Sequence, residues 1–224
     1  LLSGAALFAG HGFRLLHECG PAAERPQSPH FHHEYLISTR IRGVGPCRVG
    51  PQTLDLAPRR LLLINPQQVH AGGGVEQLEY VSLYVDPEAM TRVAEELGAH
   101  SGHLPEFTEV ITPESPESAE RLTTLLELVS AAPDDPPGDR PLRADIILHG
   151  LVAEVLESYS NLRLPKLLAT NRVGHRGIAR SLDRLRTHAS EGGADPISLD
   201  ALAGAAELSK FHFLREFHRR VGMT

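Results

Sequence analysis

Apolar residues recur along this chain in two rhythms, and the change from one to the other divides it. From Phe13 to about Val85 they come in short extended runs broken by Gly and Pro: FRLLHEC, HEYLISTRIRG, CRVG, QTLDLAP, RLLLINP and LEYVSLYVD. Runs of this length, poor in helix formers and separated by turn residues, predict an antiparallel sandwich or barrel. RLLLI is apolar throughout and predicts a buried strand. Asp86 and Pro87 then suit the N-cap and first position of a helix that Gly98 ends. From Pro116 the spacing becomes helical, with Leu122, Leu125, Leu126 and Val129 on one stripe. After the proline-rich AAPDDPPGDRP loop, a second helix runs from about Leu142 to Tyr159. It is apolar on two faces, Leu142, Ile146 and Ala153 on one, Ile147, Leu151 and Val155 on the other. Such a helix is buried twice. The economical cover for the second face is another copy of the chain; a large monomeric core is the alternative.

Asn161 to Gly174 reads as a linker. Ile178, Leu182, Leu185 and Ala189 predict the next helix, with Arg176, Arg180, Arg184 and Arg186 largely outside. Pro196 to Thr224 predicts two short helices and a tight turn. Ser198 caps the first, whose Leu199, Leu202, Ala203 and Ala206 form one stripe. Glu207 and Leu208 make the turn, and Ser209 caps a second helix with Phe213, Phe217 and Val221 inward and Phe211, Arg215 and His218 outward. An aromatic beside a guanidinium suits a major groove, where Arg reads guanine and an apolar group meets a thymine methyl. The plainer alternative is a helical hairpin with Phe211 packed against a neighbouring element.

Composition bounds these readings. The 224 residues, 41% hydrophobic and 22% charged, suffice for two compact units. Two cysteines, Cys19 and Cys47, form no CxxC pair, which excludes a disulfide scaffold and suits a reducing cytoplasm. The opening LLSGAALFAG lacks a basic segment and is a poor signal peptide, and no run approaches membrane-spanning length, so no membrane partner is expected. Formal net charge is −6 with His neutral. Arg176 to Arg220 holds eight Lys/Arg against six Asp/Glu, leaving fourteen against twenty-two elsewhere. The acidic part will not lie along DNA, and the weakly basic part needs a dimer or a second reading unit to do so.

The candidate chemistry is in PHFHHEY and NPQQVH. Strand alternation puts His30, His32 and Glu34 on one face, where His70 can join them. Three readings compete: a metal site on His30, His32 and His70, which is not favoured; polar groups orienting a small ligand in an apolar cavity; or histidines hydrogen-bonded in a core without ligand. Arg40 and Arg42, alternate residues on the same strand, are partners for an anionic effector, with surface exposure the stronger reading.

Two resemblances sharpen this. The run SxxxLAxxxxLSxxxxxRxFxxxxG, carried by Ser198, Leu202, Ala203, Leu208, Ser209, Arg215, Phe217 and Gly222 with Phe213 in register, resembles the first helix-turn-helix of AraC/XylS-type transcription regulators. The resemblance implies Phe211, Leu214 and Arg215 at bases and Ser209 and Lys210 at phosphates. It also implies a homodimer through Leu142, Ile146 and Ala153. PHFHHEY with His70 resembles the cupin jelly roll, and Pro66 to His70 matches its regulator version better than its enzyme version. Where catalytic cupins carry a Glu after the HxH this chain has Leu36 and Ile37, and Gly74 stands near the place of their later Asn. Such regulators carry a second helix-turn-helix, so the chain, which opens at Leu1 and stops at Thr224, is expected to be a fragment.

The expectation is an α+β protein: a cupin-like β jelly roll sensor at 1–112, a helical dimerisation segment at 113–160, a linker at 161–174, and a partial DNA-binding domain at 175–224. Its expected function is sequence-specific DNA binding in transcription regulation, governed by a small effector held by His30, His32, Glu34, Arg42 and His70. No cofactor is expected. A metal-dependent cupin enzyme with a helical appendage is the alternative.

Overall fold

The computed structural model describes residues 6–10, 12–20, 25–74, 76–99, 104–130, 140–162, 173–190 and 197–221. The strands are β1 (Ala6–Gly10), β2 (Phe13–Cys19), β3 (Tyr35–Arg42), β4 (Gly45–Val49), β5 (Gln52–Leu56), β6 (Leu61–Ile64), β7 (His70–Ala71) and β8 (Glu79–Val85). They form two antiparallel sheets, a five-stranded one in the order β1-β2-β8-β3-β6 and a three-stranded one in the order β5-β4-β7. The apolar runs read as strands are strands, and periodicity did not reveal two more: β1, which lies before the first of those runs, and β7, only two residues long.

The larger sheet is buried on both faces for two different reasons. One parity along its strands, Phe13, Leu15, Tyr35, Ile37, Val81, Leu83 and Val85, belongs to the main core. Three helices cover it: α1 (Pro87–Glu96), α2 (Pro116–Ser130) and α3 (Arg140–Tyr159). Gly98 follows α1 at φ 85°, a left-handed conformation that glycine adopts without a Cβ penalty. The other parity faces the smaller sheet, and there Leu36, Cys47, Val49, Leu56, Leu62 and Ile64 form a second apolar cluster. RLLLI is continuous because Leu61 and Leu63 face the helices while Leu62 and Ile64 face the barrel interior.

The last three helices, α4 (Val173–Ser190), α5 (Leu199–Ala206) and α6 (Lys210–Val221), have their own core of Ile178, Leu199, Leu202, Ala203, Ala206 and Phe213. Ser198 caps α5 by accepting from the Ala201 N–H at 3.1 Å. Glu207 turns the chain at φ 56°, and Ser209 Oγ accepts from the His212 N–H at 3.3 Å. The α4–α5 crossing is close: a Cβ on Gly177 would lie 2.5 Å from the Ala206 carbonyl oxygen. Ser181 Oγ donates to Leu202 O at 2.7 Å across the same crossing.

α3 is buried twice, as its two apolar faces predict, and within the chain its second face meets the last three helices. Leu142 and Ile146 pack against the core of the chain's own α4–α6 unit. Ala153, placed with them in the expectation, lies in the main core instead. Periodicity reports that a face is covered, not by what.

Candidate functional site

Between the two sheets lies a cavity of about 490 Å³. Alternation on three adjacent strands aims polar side chains into it. Leu16 and Glu18 come from β2, Ser38 and Arg40 from β3, and Tyr80, Ser82 and Tyr84 from β8. The register sets them in rows: Leu16, Ser82 and Ser38 in one, Glu18, Tyr80 and Arg40 in the next. Ser38 and Ser82 share a hydrogen bond of 2.8 Å. Tyr80 donates to the buried Glu18 carboxylate and accepts from Gln27 Nε2 at 3.0 Å. Gln27 is also tied by its backbone N–H to Gly72 O at 2.8 Å, so one residue links Tyr80 to the segment that carries Gly72 on the cavity lining.

The histidines meet as expected. His30 and His70 exchange backbone hydrogen bonds of 3.0 and 2.9 Å. Their rings are 4.4 Å apart at the centroids, and His32 lies 4.9 Å from His70 and 5.2 Å from Tyr84. Each Nδ1 faces a backbone carbonyl, of Ser28, Glu34 and Gln68 respectively, at 2.8–2.9 Å. Since a carbonyl only accepts, each Nδ1 donates and each Nε2 is the acceptor of the neutral ring. Burial holds His32 below the usual histidine range and takes His70 down to about 4. His30 and His70 line the cavity, whereas His32 Nε2 is buried without a hydrogen-bond partner.

The cupin resemblance raises a metal ion at His30, His32 and His70. Among the described residues no group of three His, Cys, Asp or Glu side chains is arranged to hold one. Glu34 does not line the cavity. It accepts from Arg14 Nη2 at 3.0 Å, and the Arg14 guanidinium stacks 3.9 Å from the Tyr84 ring centroid. That pairing holds the Glu34 carboxyl below its ordinary range against the opposing effect of burial.

Regular alternation would put Arg40 and Arg42 on one face, with surface exposure the stronger expectation for both and Arg42 also expected to hold the effector. Arg40 departs from the first expectation, and Arg42 does not line the cavity as the second requires. Arg40 is 5% exposed and lines the cavity. Arg42 is exposed, because the β3–β8 register shifts between Arg40 and Arg42 and reverses the side-chain alternation there. Sequence reasoning also passed over Glu18, Ser38, Tyr80 and Ser82. Their signal was clearest in β8, where Tyr80, Ser82 and Tyr84 alternate with Val81, Leu83 and Val85; in β2 and β3 Leu16 and Leu36 interrupt the polar series.

The helix-turn-helix is folded as its pattern predicts, but α6 is not presented as expected. Phe211, expected outward, is 7% exposed and belongs to the main core with α1 and α3. Leu214 packs on the α4–α6 core. Lys210 pairs with Asp200 of α5 at 3.0 Å, and Arg215 lies 3.9 Å from Glu157 of α3. The side chain of His218 lies outside the described residues, as do Gly222 and most of the linker at 161–174.

A cupin-like double-sheet barrel with a polar cavity, joined through a helical layer to a helix-turn-helix, defines the class. The chain belongs to the AraC-like ligand binding domain family, which it matches over residues 10–152. It is 26% identical over 197 residues to the uncharacterized HTH-type transcriptional regulator YbfI of Bacillus subtilis (strain 168), an overlap of 87% of this chain and 66% of that protein. The chain thus spans about two thirds of this relative's length. Among solved structures, the DMSP lyase DddQ from Ruegeria pomeroyi DSS-3 aligns at 18% identity and TM-score 0.31, over 35% of this chain and 40% of that one. KdgF from Halomonas sp. aligns at 12% identity and TM-score 0.33, over 37% and 77%. Likenesses this slight carry no weight for function.

Proposed function

We propose that the chain is the sensor and first DNA-reading unit of a cytoplasmic transcription regulator, in which a small effector in the barrel cavity governs how the helix-turn-helix is presented. The observation that carries this reading is Phe211, a residue of the reading helix buried in the sensor's own core. Two arrangements follow: one with α6 docked on α1 and α3, and one with α6 released to DNA. An effector shifts their balance by binding one better than the other. Leu142 and Ile146 are covered by the docked head, so a homodimer through that face and the docked head exclude each other. The domain division into a sensor, a helical segment from 113 to 160, a linker from 161 to 174 and a reading unit from 175 is part of the same proposal.

In this reading no residue performs chemistry. His70, which burial keeps neutral, serves as an acceptor on the cavity lining, with His30 beside it. Among the described residues no helix is long and apolar enough to cross a membrane.

The test is DNA binding by the full-length protein at its own promoter. Arg215→Ala should weaken cognate binding by about 1–3 kcal/mol and relax base preference at one position. Equal binding to all sequences before and after the substitution refutes Arg215 as a base reader.

A further inference from the structure

Glu18 of β2 and Arg40 of β3 both stand opposite Tyr80 of β8 in the sheet register. With strands about 4.8 Å apart, their backbones are about 10 Å apart, and the Tyr80 ring occupies the row between them. Tyr80 donates to Glu18, so the carboxylate is served by the phenol and not by the guanidinium. Arg40 is left without a counter-ion. It is 5% exposed, its Nε and Nη1 have no hydrogen-bond partner, and its guanidinium carbon lies 6.0 Å from the Tyr80 centroid, at the limit of a cation–π contact.

An arginine stays charged in a protein, and a buried guanidinium that leaves two of its nitrogens without a protein partner is unfavourable. A sheet that aims one into a cavity provides for an anion to arrive there. A second arginine, the exposed Arg25, also borders the cavity, and the Glu18 carboxylate on the same wall disfavours surplus negative charge deep inside it. The remaining wall is largely apolar, with Leu16, Leu36, Leu56 and Leu62 among its residues, which suits an organic body rather than an inorganic ion.

We propose that the cavity is built for a small organic acid, with Arg40 as the counter-ion of its carboxylate. This rests on the sensor reading and specifies its ligand. Arg40 binds the carboxylate, and the apolar wall takes the hydrocarbon.

The test uses the full-length protein with octanoate and phenylacetate, their uncharged amides, and inorganic phosphate. Thermal unfolding reads binding. Protection of Cys47, a buried thiol on the cavity wall, from alkylation locates the ligand by peptide mass spectrometry. The carboxylates should raise the unfolding midpoint and slow Cys47 modification, while the amides and phosphate do neither. Arg40→Gln and Arg40→Met should weaken carboxylate binding about tenfold or more and unfold at the same or a higher temperature, since an unpaired charge has left the interior. If neither variant folds, the contrast between acid and amide on the unaltered protein decides. Amides or phosphate binding as tightly as the acids, or acid binding that survives both variants, overturns the ligand class and leaves the sensor reading standing. No binding by acids or amides overturns both.

Discussion

Arg215 of α6 lies 3.9 Å from Glu157 of α3, so a residue expected to read a base faces a carboxylate of its own chain. Both side chains are more than a third exposed, and a pair of this kind contributes less than about 1 kcal/mol. It marks the rim of a stronger contact, the burial of Phe211, which holds the head in place.

Reversing the charge on α3 should therefore loosen the head without touching its reading face. Glu157→Lys in the full-length protein is expected to tighten DNA binding about two- to fivefold in the absence of effector, as repulsion replaces a weak attraction. Affinity measured by fluorescence anisotropy checks this; unchanged or weaker binding would mean that docking does not restrain the head.

Gly177→Ala should damage the reading unit selectively. Its Cβ would meet the Ala206 carbonyl oxygen at 2.5 Å, and backbone at that position cannot swing aside. A loss of about 1–3 kcal/mol is expected in the α4–α6 unit. Hydrogen exchange should show faster opening of α5 and α6 with the β8 and β3 amides unchanged.

Removing the α5 cap should cost less. Ser198→Ala loses the bond to the Ala201 N–H, which predicts about 1 kcal/mol of destabilisation, whereas Ser198→Asp should restore most of it. Urea unfolding followed by helical circular dichroism separates the two variants.

Stability should fall in acid, and His70 supplies a defined part of the fall. Its neutral form is favoured in the fold, where burial holds it at about 4 against 6.5 for a free ring. Between those values the unfolded chain binds more protons, so stability is complete above the upper one and is lost as pH drops towards the lower. The loss is about 3 kcal/mol. His32, also lowered by burial, acts in the same direction. Urea midpoints taken from neutral pH down to about pH 4 should be flatter for His70→Gln than for the unaltered protein.

Much of this protein was legible in its amino-acid order. Strand runs, the two-faced α3, the Ser198 and Ser209 caps and the helix-turn-helix are local consequences of apolar spacing and capping chemistry, and they appear where periodicity puts them. The meeting of His30, His32 and His70 was anticipated, but not by its actual cause: residues 31–34 lie outside any strand, and an isolated bridge between His30 and His70 brings the rings together. What tertiary structure alone decided is which neighbour each face meets. A register shift between Arg40 and Arg42 buried one arginine and exposed the other. The placement of Tyr80 between Glu18 and Arg40 left a cation unpaired. The α4–α6 unit covered the face of α3 that a second copy was expected to cover, and took Phe211 into the core. Periodicity records how much of a side chain is hidden. The partner is set by strand pairing and packing between residues far apart in the chain.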